Sequence, residues 1–108
     1  MKTSAVQVGM RVTCKVAQEA YYSGYGGSDY CRFFPGMVGV VAAIEVPGVR
    51  TGRYFICVDF YDEAVHNRGA KDEADRHIWR VSLFYDNIVI VKTITAEMID
   101  CTSWPLPG

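Results

Sequence analysis

A proline–glycine pair at the head of an apolar run constrains this chain most. The run is Phe33-Phe34-Pro35-Gly36-Met37-Val38-Gly39-Val40-Val41-Ala42-Ala43-Ile44. Pro35 fixes its own φ and pushes Phe34 to extended backbone. Gly36 supplies the positive φ that a type II turn needs after proline. The residues from Met37 on are rich in β-branched types and read as a strand to about Val46. Gly39 is a poor strand former, so a bulge or a sharp bend is expected there. A strand that starts at a rigid turn and bends early suits a small β-barrel built around it.

The rest of the chain supplies partners for that strand. From Val8 to Val16 the residues alternate: Val8, Met10, Val12, Cys14 and Val16 share one parity, with Arg11, Thr13 and Lys15 between them. Period 2 predicts a half-buried strand. Pro47 to Gly52 is a turn region, and Tyr54 to Tyr61 is a strand with Tyr54, Ile56, Val58 and Phe60 on one face. His77 to Ser82 reads as a further strand. Leu83 to Asn87 reads as a tight turn with one turn of 3₁₀ helix, and Ile88 to Lys92 as a short closing strand. The expected core includes Val12, Val40, Ile56, Val58, Val81 and Val89. Thr95 to Asp100 reads as one helical turn with Thr95 as N-cap. Pro105 and Pro107 bar a helix beyond it.

Two segments break the pattern. Gln18 to Arg32 shows neither period, is interrupted by Gly24, Gly26 and Gly27, and holds Tyr21, Tyr22, Tyr25 and Tyr30, with Phe33 and Phe34 just after. Loops longer than about 12 residues are uncommon and often functional. Asp62 to Arg76 is polar with mixed charge and reads as an exposed connection that folding does not need.

Length bounds the domain count: 108 residues make a single domain, residues 1–108, with a barrel core at about 6–92 and a C-terminal extension at 93–108. The formal net charge of −1 argues against a partner gripped through bulk electrostatics, such as duplex DNA. The 4 cysteines, Cys14, Cys31, Cys57 and Cys101, include no Cys-x-x-Cys pair, so no zinc site is expected. The N-terminal residues lack the apolar core of a secretory signal, and no apolar run has the length of a membrane span. Together these features predict a cytoplasmic protein with reduced thiols and no membrane association.

The layout resembles the SH3-like small β-barrel superfamily, which includes bacterial KOW-type barrels. The resemblance runs through Val8-Gly9-Met10-Arg11-Val12, the long loop after it, Pro35 to Val41, and the turn at Pro47 to Gly52. It continues through Tyr54 to Phe60, Trp79-Arg80-Val81, the tight turn at Leu83 to Asn87 and the strand from Ile88. It implies an all-β fold: a five-stranded, mainly antiparallel SH3-like barrel with a long first loop. It also implies that this loop forms the binding rim. The Ala-Leu-Tyr-Asp-Tyr type of signature is missing, so polyproline binding is not implied.

Tyrosines on a Gly/Ser background give large contact area at low rotamer cost. Tyr21, Tyr22, Tyr25 and Tyr30 are therefore the candidate binding residues, with Arg32 and Arg53 at the rim and Arg50 nearby. The plainer alternative is that several of these rings plug the barrel end, with their hydroxyls at the surface. Glu63, His66, Asp72, Glu73, Asp75 and His77 have no metal-ligand spacing. No catalytic motif, cofactor fingerprint or metal site is present, so neither cofactor nor metal is expected.

The function expected is that of a non-enzymatic module binding a protein partner through the tyrosine-rich loop. Its size suits an accessory protein of a phage or mobile element. A barrel binding RNA or single-stranded nucleic acid by stacking is the alternative. A third reading is an enzyme whose site forms only by oligomerisation, as in the plasmid-type dihydrofolate reductase. Val81-Ser82-Leu83-Phe84 stands where that enzyme has Val-Gln-Ile-Tyr, but its Gln and Tyr are not matched. The oligomeric state is not legible.

Overall fold

The Pro35–Gly36 turn forms as its residues require. Gly36 takes φ +101°, and the Met37 amide donates to the Phe34 carbonyl at 3.0 Å. The computed structural model describes residues 6–22, 30–45, 55–61 and 78–102, with Tyr21, Tyr22 and Tyr30 placed as strand positions. In it the turn is a junction of three segments. The Gly36 amide donates to the Thr13 hydroxyl at 3.1 Å, and the Gly36 carbonyl accepts from the Ile99 amide at 2.8 Å.

Eight strands are described: β1 (Arg11–Cys14), β2 (Gln18–Tyr22), β3 (Tyr30–Phe33), β4 (Met37–Glu45), β5 (Phe55–Tyr61), β6 (Ile78–Phe84), β7 (Ile88–Ile90) and β8 (Ile99–Asp100). Seven of them lie in the order β3-β2-β6-β5-β4-β1-β7, every neighbouring pair antiparallel. The fold is all-β, with one 3₁₀ turn at Tyr85–Asn87 among the described residues. Among the described residues no ladder joins β3 to β7, so the sheet is open, where a closed five-stranded barrel was expected. The extra strands come from the first loop, read as irregular, and from the C-terminal extension, where a helical turn was expected.

The core follows period 2 where strands are long. Ile56, Val58 and Phe60 of β5 are buried, as are Trp79, Val81 and Leu83 of β6. Val12, Met37, Val38 and Val41 join them from β1 and β4. Two expected core positions differ: Val40 is only partly buried, and Val89 is exposed. In the uniformly apolar run Ile88-Val89-Ile90-Val91 the sequence gives no parity. Ile88 and Ile90 face the core, which turns Val89 outward. Val8 and Val16 are exposed as well, because β1 is only four residues long and they fall in the turns at its ends. The later turn is fixed by Asn87. Its Oδ1 accepts from the Lys15 and Val16 amides at 2.9 and 2.8 Å, and its Nδ2 donates to the Val16 carbonyl at 3.0 Å.

β4 is the longest strand and has three neighbours: β8 at Met37–Val38, β1 at Gly39–Val40 and β5 from Val40 onward. The register shift lies between Val41 and Ala43, two residues beyond the glycine expected to mark it. Gly39 serves another purpose, a close approach of β5 across its Cα. A Cβ there would lie 2.6 Å from Val58 Cγ1 and 2.9 Å from the Asp59 carbonyl oxygen.

The C-terminal extension is part of the sheet. The helical turn expected at Thr95 to Asp100 is not a helix: the Met98 amide donates to the Thr95 carbonyl at 3.1 Å in one hydrogen-bonded turn, and Ile99–Asp100 are strand β8. The chain then runs parallel to the start of β4. The Cys101 amide donates to the Val38 carbonyl at 3.0 Å, and the Tyr61 amide donates to the Cys101 carbonyl at 2.8 Å. Asp100 tightens the end of this strap. Its Oδ1 accepts from the Thr102 hydroxyl and amide, and these bonds, with Arg11 nearby, hold its carboxyl below the usual range. A depressed folded pKa adds stability above the unfolded value of about 3.9, and that stability is lost as pH falls through the folded value. Asp100→Asn is therefore expected to lower the urea midpoint at pH 7 and to have no effect in strong acid. A deficit that persists unchanged at low pH would show that Asp100 acts other than through its charge.

Candidate functional site

The first loop of the sequence is a hairpin. β2 and β3 pair Gln18 with Phe33, Glu19 with Arg32, Ala20 with Cys31 and Tyr21 with Tyr30. Its inward positions, Ala20, Cys31 and Phe33, are buried. Two of these three are small, so the alternation was too weak to read as a strand. Among the described residues the hairpin joins the main sheet through two register pairs, Tyr21 with Arg80 and Tyr22 with Trp79.

This arrangement brings together four of the six expected binding residues. Tyr21 and Tyr22 are neighbours in β2, Tyr30 lies opposite Tyr21, and Arg32 is exposed on β3. Tyr25 and Arg53 lie outside the described residues, as do Arg50, the Asp62 to Arg76 connection and His77. Among the described residues no cluster of three or more His, Cys, Asp or Glu is placed to hold a metal.

The sheet face beside the hairpin holds an ion pair, Asp59 with Arg80, that the sequence reading did not single out. Arg80 Nε and Nη2 donate to the two carboxylate oxygens of Asp59 at 2.7 and 3.0 Å. Asp59 keeps the guanidinium firmly charged. With 49% of the Arg80 side chain exposed, this pair adds little stability, but its fork geometry fixes where the Arg80 head lies. A usable signal was present: each is the one charged residue in an apolar strand, at the parity opposite to the core residues. Next along the same face, the Cys57 thiol donates to Glu45 Oε1 at 3.4 Å and lies 3.9 Å from the Ser82 hydroxyl. Beyond that, the rings of Phe55 and Phe84 meet with centroids 4.7 Å apart.

Between this face and the hairpin lies an open groove of about 380 Å³, lined by Ala17, Gln18, Glu19, Arg32 and Ser82. It begins where the β2–β6 ladder stops. Continuing the register past Tyr21–Arg80 would set Glu19 opposite Ser82, and the two strands are no longer paired there.

The thiols are not poised for chemistry. All four cysteines are buried, and none is in a disulfide. Burial pushes Cys14 up to about 11, and its Sγ donates to the Phe33 carbonyl. Cys57 is raised first by burial and then by the Glu45 carboxylate. From 9.0 to about 11 is roughly a hundredfold loss of thiolate at neutral pH. Cys14 is therefore expected to resist a disulfide-exchange reagent at pH 7.5 until the chain unfolds. Rapid labelling of Cys14 in the folded protein would contradict the packing described. No helix among the described residues is long and apolar enough to cross a membrane.

Val81, Ser82, Leu83 and Phe84, the stretch aligned with the reductase pore strand, form the second half of β6. Val81 and Leu83 are buried and only Ser82 is exposed. Comparison with known proteins gives no match: no family model, no curated protein and no solved structure matches this chain.

Proposed function

We propose that this chain is a non-enzymatic SH3-like interaction module that holds a protein partner with its β2–β3 hairpin. Five consecutive strands of the sheet support the SH3-like reading. In the order β7-β1-β4-β5-β6 they follow the layout of that superfamily, with the 3₁₀ turn between the last two in sequence. The hairpin then stands where the long first loop of those folds lies. The closed barrel is not part of this reading.

One observation carries the functional proposal. A hairpin bearing Tyr21, Tyr22, Tyr30 and exposed Arg32 is attached to the sheet by two register pairs among the described residues and set beside exposed Arg80. Tyrosine and arginine are the residues that most often dominate binding energy at protein interfaces. The near-neutral chain, with a net charge of −1, favours a protein over a phosphate backbone. The test is affinity capture with the full chain from lysate, with and without nuclease. A partner protein retained after nuclease treatment and in about 0.5 M salt, which screens surface charge, is the expected result. Loss of all partners on nuclease treatment favours the nucleic-acid reading instead.

A further inference from the structure

We infer that the groove between β2 and β6 is a docking slot for an extended peptide segment carrying one carboxylate and one cationic side chain. This inference rests on the interaction-module reading and names the chemistry of the partner segment. Three observations converge on it. The first is backbone geometry. In an antiparallel strand every second residue turns its N–H and C=O to the same side. β6 is paired with β5 along its whole length, from Ile78 to Phe84, but with β2 only at Trp79 and Arg80. Beyond Arg80, either Ser82 or the Val81 and Leu83 pair must therefore present backbone groups to the groove. β2 is in the same position: it pairs with β3 from Gln18 to Tyr21, while its other edge stops pairing with β6 before Tyr21. No further ladder fills the gap among the described residues. An extended segment laid there finds hydrogen-bonding backbone on both sides, which is how strand addition works.

The second observation is charge. Arg32 and Glu19 are cross-strand partners, both exposed and both lining the groove. Neither enters an ion pair with a described residue, in contrast to Arg80 with Asp59. Arg32 offers a planar fork to a carboxylate, and Glu19 offers a carboxylate to an ammonium or guanidinium. Directly opposed positions in a ladder lie about 5 Å apart, and alternate side chains of an extended peptide about 7 Å apart, so residues i and i+2 of the guest reach both. The third observation is size. A volume of about 380 Å³ sits at the low end of ligand-holding clefts, about 300 to 1,000 Å³, which suits a few residues rather than a folded domain.

The probe is a blocked pentapeptide, acetyl-Thr-Glu-Thr-Lys-Thr-amide, together with its Lys/Glu-exchanged form, since the direction of the guest strand is open. Each is titrated into the ¹⁵N-labelled full chain and followed by amide shifts. Saturable shifts confined to Gln18, Glu19, Arg32 and Val81 to Leu83 are expected with one of the two. Arg32→Glu is expected to weaken that binding at least about tenfold, and the Glu19→Lys/Arg32→Glu double exchange to transfer preference to the other peptide. The amide spectrum of each variant reports at once whether it is folded. Equal shifts with a Gln-for-Glu, Gln-for-Lys control peptide, shifts elsewhere on the surface, or no saturable shift overturn the inference. The hairpin reading is tested separately by partner capture with Tyr21→Ala/Tyr25→Ala. Capture lost in that variant while neither peptide binds rejects the docking slot alone. Peptide binding at the groove with capture undiminished supports the slot and rejects the tyrosine surface.

Discussion

Trp79→Ala is expected to destabilise the protein by about 4 kcal/mol, more than truncation of any other core side chain. Among the described residues Trp79 is the largest fully buried side chain, 1% exposed, and its register partners are Phe60 in β5 and Tyr22 in β2. Removing an indole from a close-packed interior forfeits its transfer free energy and leaves a void that the neighbouring strands cannot fill. The position also matters for the hairpin, because one of the two pairs holding β2 to the sheet is made at Trp79. Equilibrium urea unfolding measures the first effect. Hydrogen exchange measures the second: the amides of Ala20 and Cys31 should lose protection before those of the β4–β5 ladder. A loss below about 1 kcal/mol would mean that the site lies on a surface.

Gly39→Ala is expected to cost about 3 kcal/mol, although its backbone φ is ordinary. The cause is contact. The added methyl would meet Val58 Cγ1 at 2.6 Å, the Asp59 carbonyl at 2.9 Å and Phe60 Cβ at 3.3 Å. Val58 can turn about χ1 only at the expense of its own burial, and the Asp59 carbonyl is backbone in a ladder, opposite Val40. Relief therefore requires β4 and β5 to move apart at the centre of the sheet. The same urea titration is the check, with Gly36→Ala as a comparison. That change adds a Cβ in open space, its nearest neighbour 4.0 Å away, and costs only the left-handed backbone strain of about 1–2 kcal/mol. If Gly39→Ala were the milder of the two, the close approach of β5 would be wrong.

These two residues also show where the sequence was readable. The Pro35–Gly36 turn, the buried parity of β5 and β6 and the 3₁₀ turn before β7 all come from local chemistry. Each depends on a residue type whose conformational preference is strong or on an alternation several residues long. Gly39 was rightly singled out as special, but the reason lay in β5, a strand distant in sequence whose register no local pattern sets. β2 and β3 were hidden because Ala20 and Cys31 carry the inward face with little apolar bulk. β8 was hidden because a two-residue parallel strand has no period at all. It is held by the Gly36 carbonyl and the backbone of Val38. The candidate site divides in the same way. The tyrosines and Arg32 were visible as a compositional excess. The Asp59–Arg80 fork and the groove between Glu19 and Ser82 exist only once β2, β5 and β6 are set side by side.

The most direct test of the hairpin as a binding surface is a titration of the nuclease-resistant partner with the wild-type chain and with Tyr21→Ala/Tyr25→Ala. Tyr21 is chosen because its register partner, Arg80, is exposed, whereas Tyr22 lies opposite buried Trp79. A centrally placed interface tyrosine contributes on the order of 2 kcal/mol, so the double variant should bind at least about thirtyfold more weakly. Its urea midpoint should stay close to that of the wild type, because the core lies in the strands. A folded variant that binds the partner as tightly as the wild type would contradict the account.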